Sequence, residues 1–250
     1  GVATRDIGLG GTEMVYHAAG QPGMGGGLMV TASHNPVGDN GIKMVRDEAR
    51  PISGDDGLAE MEALTRQLLA EQAQALGQGS GYAFGPLTDG SQYQPDPQLH
   101  ATLDLHASYI AKVHSFVNFP ALQQALQARA DAGRPLKLVV NAGNGCAGPT
   151  FDALVDGLPL TITRVFHTPD GQFPNGVPNP MLAKCQEDTA SVVRAEHADV
   201  GIAWDGDFDR CFFFDEAGGF IEGYYLVALL GTQLLQHEPN GAVVYDTRLT

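Results

Sequence analysis

An α/β fold, with mixed but largely parallel sheets covered by helices and more than one domain, is the architecture this sequence predicts. Three observations carry that expectation. From Leu136 to Trp204 apolar strand patterns alternate with helical ones, as crossover connections between parallel strands require. Hydrophobic residues make up 43% of the 250 positions, enough to bury a core, and the length suits one or two domains. The 32 glycines are scattered among apolar strands rather than set in a period or a low-complexity block, which excludes collagen-like and disordered readings.

Taken in order, the Gly-rich opening from Gly1 shows no capped element and no initiating Met, so the chain is expected to start within a domain. Residues 27–30 (GLMV) read as a short buried strand, and 42–45 as another after the Gly-Asp-Asn-Gly turn at 38–41. Asp55 can cap a helix whose Leu58, Met61, Leu64 and Leu68 share a face, and Gly77 can end it. Residues 78–98 are rich in Gly, Ser, Pro and Gln without periodicity and read as a linker between residues 1–77 and 99–238. Leu99, Leu103, Ile110 and Val113 fall at helical spacing. Then follow strand 136–141, helix 149–156, strand 160–166, loop 167–180, helix 185–197 and strand 199–204. A hairpin over 210–222 turning at Gly218 and Gly219, a helix 224–237 and a strand 242–246, the start of a further domain at 239–250, complete the expectation, and the end reads as cut.

Charge narrows the choice of partners. A formal net charge of −15 opposes nucleic acid and anionic membranes, and no apolar run approaches the roughly 18 residues of a membrane span. No signal-peptide pattern opens the chain, so a cytoplasmic location is expected. Cys146, Cys185 and Cys211 fit neither a disulfide framework nor a zinc pattern and read as free thiols. A phosphorylated ligand would need local neutralisation by a cation or a few Lys and Arg residues.

The strongest chemical signal is Trp204-Asp205-Gly206-Asp207-Phe208-Asp209-Arg210, directly after an apolar strand. Carboxylates at alternate positions of a tight loop can converge on one hard cation, and the carboxyl end of a parallel strand is where α/β sheets place ligands. Asp205, Asp207, Asp209 and Glu216 also match positions one, three, five and twelve of a calcium EF-hand loop. That reading fails at position six, where Arg210 stands in place of the turn-making Gly and a strand-like Cys-Phe-Phe-Phe follows. Arg210 instead suits a phosphate clamp beside the metal.

A second signal is Thr31-Ala32-Ser33-His34-Asn35-Pro36. A serine at a strand end, in a small polar loop closed by Pro, can present its hydroxyl as nucleophile or phosphoryl carrier, and Lys43 offers a cation ten residues on. The glycine loop 141–148 follows a strand and precedes a helix, but lacks the Lys and Ser/Thr of a P-loop and reads as a structural turn. The loop 167–174 reads as a rigid connector.

Together, TASHNP at 31–36, NGIK at 40–43, PDGQFPNGVPNP at 169–180 and DGDFDR at 205–210 resemble the α-D-phosphohexomutase superfamily over nearly the whole chain. Gly10-Gly11-Thr12-Glu13 and Phe208 look more like the bacterial phosphomannomutases than the phosphoglucosamine mutases. The resemblance implies a multi-domain architecture of which this chain would be a part, with Ser33 as phosphoserine and Asp205, Asp207 and Asp209 binding Mg²⁺ with the serine phosphate as a further ligand. It implies Lys43 as general acid or base, His34 beside the phosphate and Arg210 in contact with it. The implied reaction interconverts hexose 1-phosphate and hexose 6-phosphate, mannose phosphate foremost, through a hexose 1,6-bisphosphate that also serves as activator. The family's sugar-recognition and distal phosphate-binding loops are not found in residues 1–250, which alone are therefore not expected to turn over. A metal-dependent phosphatase using Ser33, and a non-catalytic Mg²⁺-binding fragment, remain alternatives.

Overall fold

The structure, a computed structural model, describes residues 2–75 and 96–244. The described residues form two compact units: Val2–Gly8, Val15–Met29 and Lys43–Leu105 make one, and Leu9–Met14, Val30–Ile42 and the chain from His106 make the other.

The first 105 residues hold β1 (Thr4–Asp6), α1 (Thr12–Ala19), β2 (Gly26–Val30), β3 (Ile42–Arg46), α2 (Leu58–Ala75) and β4 (His100–Thr102). The opening thus does carry ordered elements: β1 and α1 contain none of its glycines, and TEMVYHAA is a helix with Glu13 in its first turn and His17 in its last, matching the helix dipole. Met14, Val15 and Ala19 are buried. β2 and β3 form a two-stranded sheet, and Leu28 and Val30 stay exposed because only alternate residues of β2 meet cover. The expected buried strand is therefore half-exposed.

Helix α2 begins at Leu58, which leaves Asp55 outside the capping position, while neighbouring Asp56 takes three hydrogen bonds from Arg46, two on its carboxylate and one on its carbonyl. Its Leu58, Met61, Leu64 and Leu68 are exposed. The expected stop at Gly77 and most of the expected linker lie outside the described residues. Leu99 and Leu103 do not belong to a helix: they flank β4, which pairs in parallel with β1, Arg5 facing Ala101. A three-residue strand paired across almost a hundred positions leaves no local periodicity to read.

From there the order is α3 (His106–His114), α4 (Phe119–Asp131), β5 (Leu136–Asn141), α5 (Ala147–Leu154), β6 (Leu160–Val165), α6 (Ala183–Glu196), β7 (Val200–Trp204), β8 (Cys211–Phe214), β9 (Phe220–Ile221) and α7 (Gly223–His237). This reproduces the expected alternation to within about two residues at each boundary, hairpin included. Helix α4 was not anticipated. It is capped by Asn118, whose Oδ1 accepts the Ala121 N–H at 3.2 Å, and buries only Leu126, so its apolar stripe is faint. Residues 242–244 form no strand, and the rest of the strand expected there lies outside the described residues.

The five-stranded sheet runs β6-β5-β7-β8-β9, with β6, β5 and β7 parallel and the hairpin β8-β9 added antiparallel. Successive residues of β5 point to opposite faces. Val139 packs with Ala190 and Val193 of α6 and with Phe214, while Leu138 and Val140 pack with Phe151 of α5. Helices therefore cover both faces. Asn141 lies opposite Val165 and Ala203, so the three parallel strands end in register. The loops after β5, β6 and β7 emerge at one sheet edge, the place where open α/β sheets bind ligands.

Candidate active site

The loop after β7 gathers the three carboxylates that sequence singled out. Asp205, Asp207 and Asp209 can each present an oxygen within 4.8 Å of the others. Asp205 and Asp207 are fully buried, and Asp209 is the open member. The turn is tight because the Phe208 N–H donates to the Asp205 carbonyl at 3.2 Å, with Phe208 in the left-handed region at φ 43°. Backbone contacts fix the loop from two sides. Thr12 N–H donates to the Asp207 carbonyl at 3.2 Å, and Cys146 N–H donates to the Gly206 carbonyl at 2.9 Å.

The serine loop meets this loop directly. A Cβ added to Gly206 would stand 2.3 Å from the Ser33 carbonyl oxygen, so only glycine allows the approach. Ser33 itself has φ 52°, a left-handed conformation that costs a residue with a side chain about 1 kcal/mol or more. Its Oγ donates to Asp205 Oδ2 at 2.9 Å and lies 3.1 Å from His34 Nδ1. Arg210 closes the group: Nε and a terminal nitrogen donate to Asp205 Oδ2 at 3.0 and 2.6 Å, Nε lies 3.5 Å from Asp209 Oδ1, and a terminal nitrogen contacts His34 Nδ1 and reaches 3.5 Å from Ser33 Oγ. Since a guanidinium only donates, His34 Nδ1 is the acceptor of that contact.

Ser33, His34, Asp205, Asp207, Asp209 and Arg210 are thus brought together. Lys43 stands half-buried on β3 and belongs to the other unit. Thr31, in the same TASHNP segment, has a part in the site that the motif itself does not assign. Its Oγ1 donates to Asp207 Oδ2 at 2.9 Å and accepts the Ser33 N–H at 2.8 Å. A hydroxyl two residues before a loop serine is a recurrent local turn, which is the signal that could have marked it.

Electrostatics define what the site lacks. Carboxylates this close repel by about 3 kcal/mol or more per pair at an effective dielectric of about 20. Burial pushes the Asp205 carboxyl above its ordinary range; hydrogen bonds from Arg210 and Ser33 pull it down without cancelling that shift. One guanidinium offsets part of the charge of three carboxylates. An all-oxygen donor set of three carboxylates and a hydroxyl fits a hard divalent cation of the Mg²⁺ type, with Asp209 on the open side. Within the glycine loop at 141–148, the N–H groups of Gly143, Asn144, Gly145 and Cys146 are not open to an anion: they donate to Asn141 Oδ1 and to the carbonyls of Phe166, Ala142 and Gly206. The loop is the structural turn its sequence suggested. The segment 167–174 is likewise tied down, with Asp170 N–H donating to the Asn144 carbonyl and Asn144 Nδ2 to that of Thr168.

Two family profiles match the chain: phosphoglucomutase/phosphomannomutase alpha/beta/alpha domain I over residues 1–72, and alpha/beta/alpha domain II of the same family over residues 107–219. The chain is a member of the phosphoglucomutase/phosphomannomutase family. It is 44% identical over 258 aligned residues to a phosphomannomutase of Escherichia coli, matching 100% of this chain and 50% of that protein. It is 47% identical over 245 residues to the phosphohexose mutases of Xanthomonas campestris pv. campestris strain B100, matching 98% of this chain and 48% of the relative. Among solved structures, a phosphoglucomutase/phosphomannomutase family protein from Burkholderia thailandensis superposes with a TM-score of 0.70 at 28% identity, over 95% of this chain and 45% of that one. The chain spans about half the length of the curated relatives it matches.

Proposed function

We propose that this chain carries the phosphoryl-carrying and metal-binding parts of a phosphohexomutase that interconverts hexose 1- and 6-phosphates, mannose phosphate foremost. The observation that carries the reading is the convergence of Ser33 Oγ on Asp205 Oδ2 at 2.9 Å, inside the carboxylate triad and beside Arg210. In the same reading residues 1–77 and 99–238 are two domains joined by 78–98, and 239–250 begin a third. The same reading places the protein in the cytoplasm; among the described residues no helix is long and apolar enough to cross a membrane.

In this reading the Ser33 oxygen carries the phosphoryl group. A hexose-phosphate hydroxyl attacks phosphorus, the new oxygen–phosphorus bond forms as the bond to Ser33 breaks, the hydroxyl proton passes to a base, with Lys43 the candidate, and the departing Ser33 oxygen takes up a proton to become the hydroxyl. Turning the bisphosphate over and reversing the step returns the other phosphate to Ser33. Bound Mg²⁺ supplies charge neutralisation at the phosphoryl oxygens; Asp205, Asp207 and Asp209 would hold it, with the serine phosphate completing the set. Arg210, already 3.5 Å from Ser33 Oγ, clamps the phosphate, and His34, with Nδ1 3.1 Å from that oxygen, stands beside it.

The test is intact-mass and peptide mapping of the protein expressed from its full reading frame, after exposure to glucose 1,6-bisphosphate and Mg²⁺, coupled to an isomerisation assay. One phosphate on Ser33, none on Ser33→Ala, and loss of isomerisation in that variant with unchanged folding are expected. Phosphate on another residue, or steady release of inorganic phosphate without isomer, overturns the reading and favours hydrolysis.

A further inference from the structure

Thr31 lies at the joint between the serine loop and the carboxylate loop, and both capacities of its hydroxyl are used. Its one proton goes to Asp207 Oδ2 at 2.9 Å, and a lone pair accepts the Ser33 N–H at 2.8 Å. Its own N–H donates to the Gly41 carbonyl at 3.0 Å, which ties the residue's backbone to the far end of the loop. A threonine is also stiff about χ1, so the hydroxyl is presented in few rotamers where a serine would sample more.

Two features at opposite ends of this hydroxyl need support. Ser33 sits in a left-handed conformation without being glycine, and the bond from its N–H to Thr31 is the local turn that holds it there. Asp207 is a buried carboxylate that must turn one oxygen toward Asp205 and Asp209, and the bond to its Oδ2 sets which oxygen that is. A single side chain thereby couples the aim of the serine oxygen to the orientation of a metal-ligand carboxylate.

We propose that Thr31 is a positioning residue that locks Ser33 and Asp207 into one geometry, so that phosphoryl acceptance and cation binding are set together. This rests on the phosphoserine and metal reading above. It assigns Thr31 no contact with the sugar and no part in proton transfer.

Thr31→Val removes the hydroxyl at nearly constant shape, and Thr31→Ser keeps it without the methyl. In the full protein, Thr31→Val should weaken Mg²⁺ binding by about tenfold or more in calorimetric titration, as loss of a partner behind a metal ligand typically does, and should slow phosphorylation of Ser33 by glucose 1,6-bisphosphate. Thr31→Ser should restore most of both. Amide hydrogen exchange of metal-free protein gives an arm independent of any activity: the Ser33 N–H should lose protection in Thr31→Val and keep it in Thr31→Ser.

If the parent binds no Mg²⁺ and takes no phosphate, the functional reading has failed, and the coupling proposed for Thr31 falls with it, whatever the exchange result. If the parent does both but Thr31→Val, folded, shows unchanged Mg²⁺ affinity and Ser33 protection, the role of Thr31 is overturned and the site stands. Should Thr31→Val not fold, Thr31→Ser decides alone: parent-like values in all three measurements are expected, and a serine variant impaired in Mg²⁺ binding would show that the methyl, not the hydroxyl, matters.

Discussion

Two neighbouring strands of the parallel sheet, β5 and β7, end in register and each releases a glycine-containing loop, yet the loops have opposite chemistry. The one after β5, Ala142–Cys146, contains no charged side chain and its N–H donors from Gly143 to Cys146 are engaged within the protein. The one after β7, Asp205–Arg210, concentrates three carboxylates within 4.8 Å and one guanidinium. The two touch closely: a Cβ on Gly145 would stand 2.5 Å from the Gly206 carbonyl oxygen and 2.8 Å from its Cα. The uncharged loop is a wall that holds the charged one in a shape its own repulsion opposes. A glycine-rich loop at a strand end is thus no evidence of an anion site until its N–H groups have been accounted for.

Asp207→Asn is the change with the largest expected effect on this division. The amide keeps the shape and the Thr31 hydroxyl can still find an oxygen, but one negative charge leaves the donor set. Mg²⁺ affinity should drop by more than about tenfold, and phosphorylation of Ser33 should fall with it. Calorimetry on the purified variant decides the matter, and unchanged affinity would move the cation away from the β7 loop.

Gly145→Ala tests the wall. Backbone atoms, not a flexible side-chain end, meet the new methyl, so one of the two loops must shift. A cost of about 1–3 kcal/mol in urea unfolding is expected, together with weaker Mg²⁺ binding although no ligand has been altered. Gly148→Ala is the control. Its Cβ meets the His167 carbonyl oxygen at 2.1 Å, so it should destabilise comparably while leaving cation affinity near the parent's. Equal Mg²⁺ affinities in parent and Gly145→Ala would show that the carboxylate loop holds its shape unaided.

Legibility in the sequence followed the range of the interactions involved. The β5 to β9 region was readable because strand and helix periodicities are local and its core alternates simply, Val139 to one face and Val140 to the other. The pairing of β1 with β4 and the helix α4 were not: one depends on contacts across the chain, the other on a cap at Asn118 with little apolar stripe. In the site, the carboxylate spacing and the serine loop were legible as motifs, and the resemblance joined them. What could not be read was the backbone that supports them, from Thr12 to Asp207 and from Cys146 to Gly206, since N–H to carbonyl bonds between distant loops carry no side-chain signature.

The smallest expected effect contrasts a carboxylate that has its cations built in with those that do not. Asp152, on the helix that the uncharged loop launches, takes a bond from Arg164 Nε at 2.9 Å and lies 3.0 Å from His167 Nε2. Partial burial pushes its carboxyl up, but the hydrogen bonds and charges of Arg164 and His167 more than offset this and leave it below the ordinary carboxylate range, opposite to Asp205. A depressed carboxylate contributes stability that is fully present above its unfolded pKa of about 3.9 and is lost as pH falls through the lower folded value. The stability gap between parent and Asp152→Asn should therefore be full above the unfolded carboxylate pKa of about 3.9 and close as pH falls through the depressed folded value. Its size is held under about 1 kcal/mol, because the Asp152 and Arg164 side chains are 41% and 43% exposed and solvent screens the pair. Urea unfolding of both proteins across that range, at low and high salt, measures it; added salt should shrink the gap. A gap that widens as pH falls below the unfolded carboxylate pKa of about 3.9 would mean that Asp152 is held protonated in the folded state, and the contrast between the two kinds of carboxylate would fail.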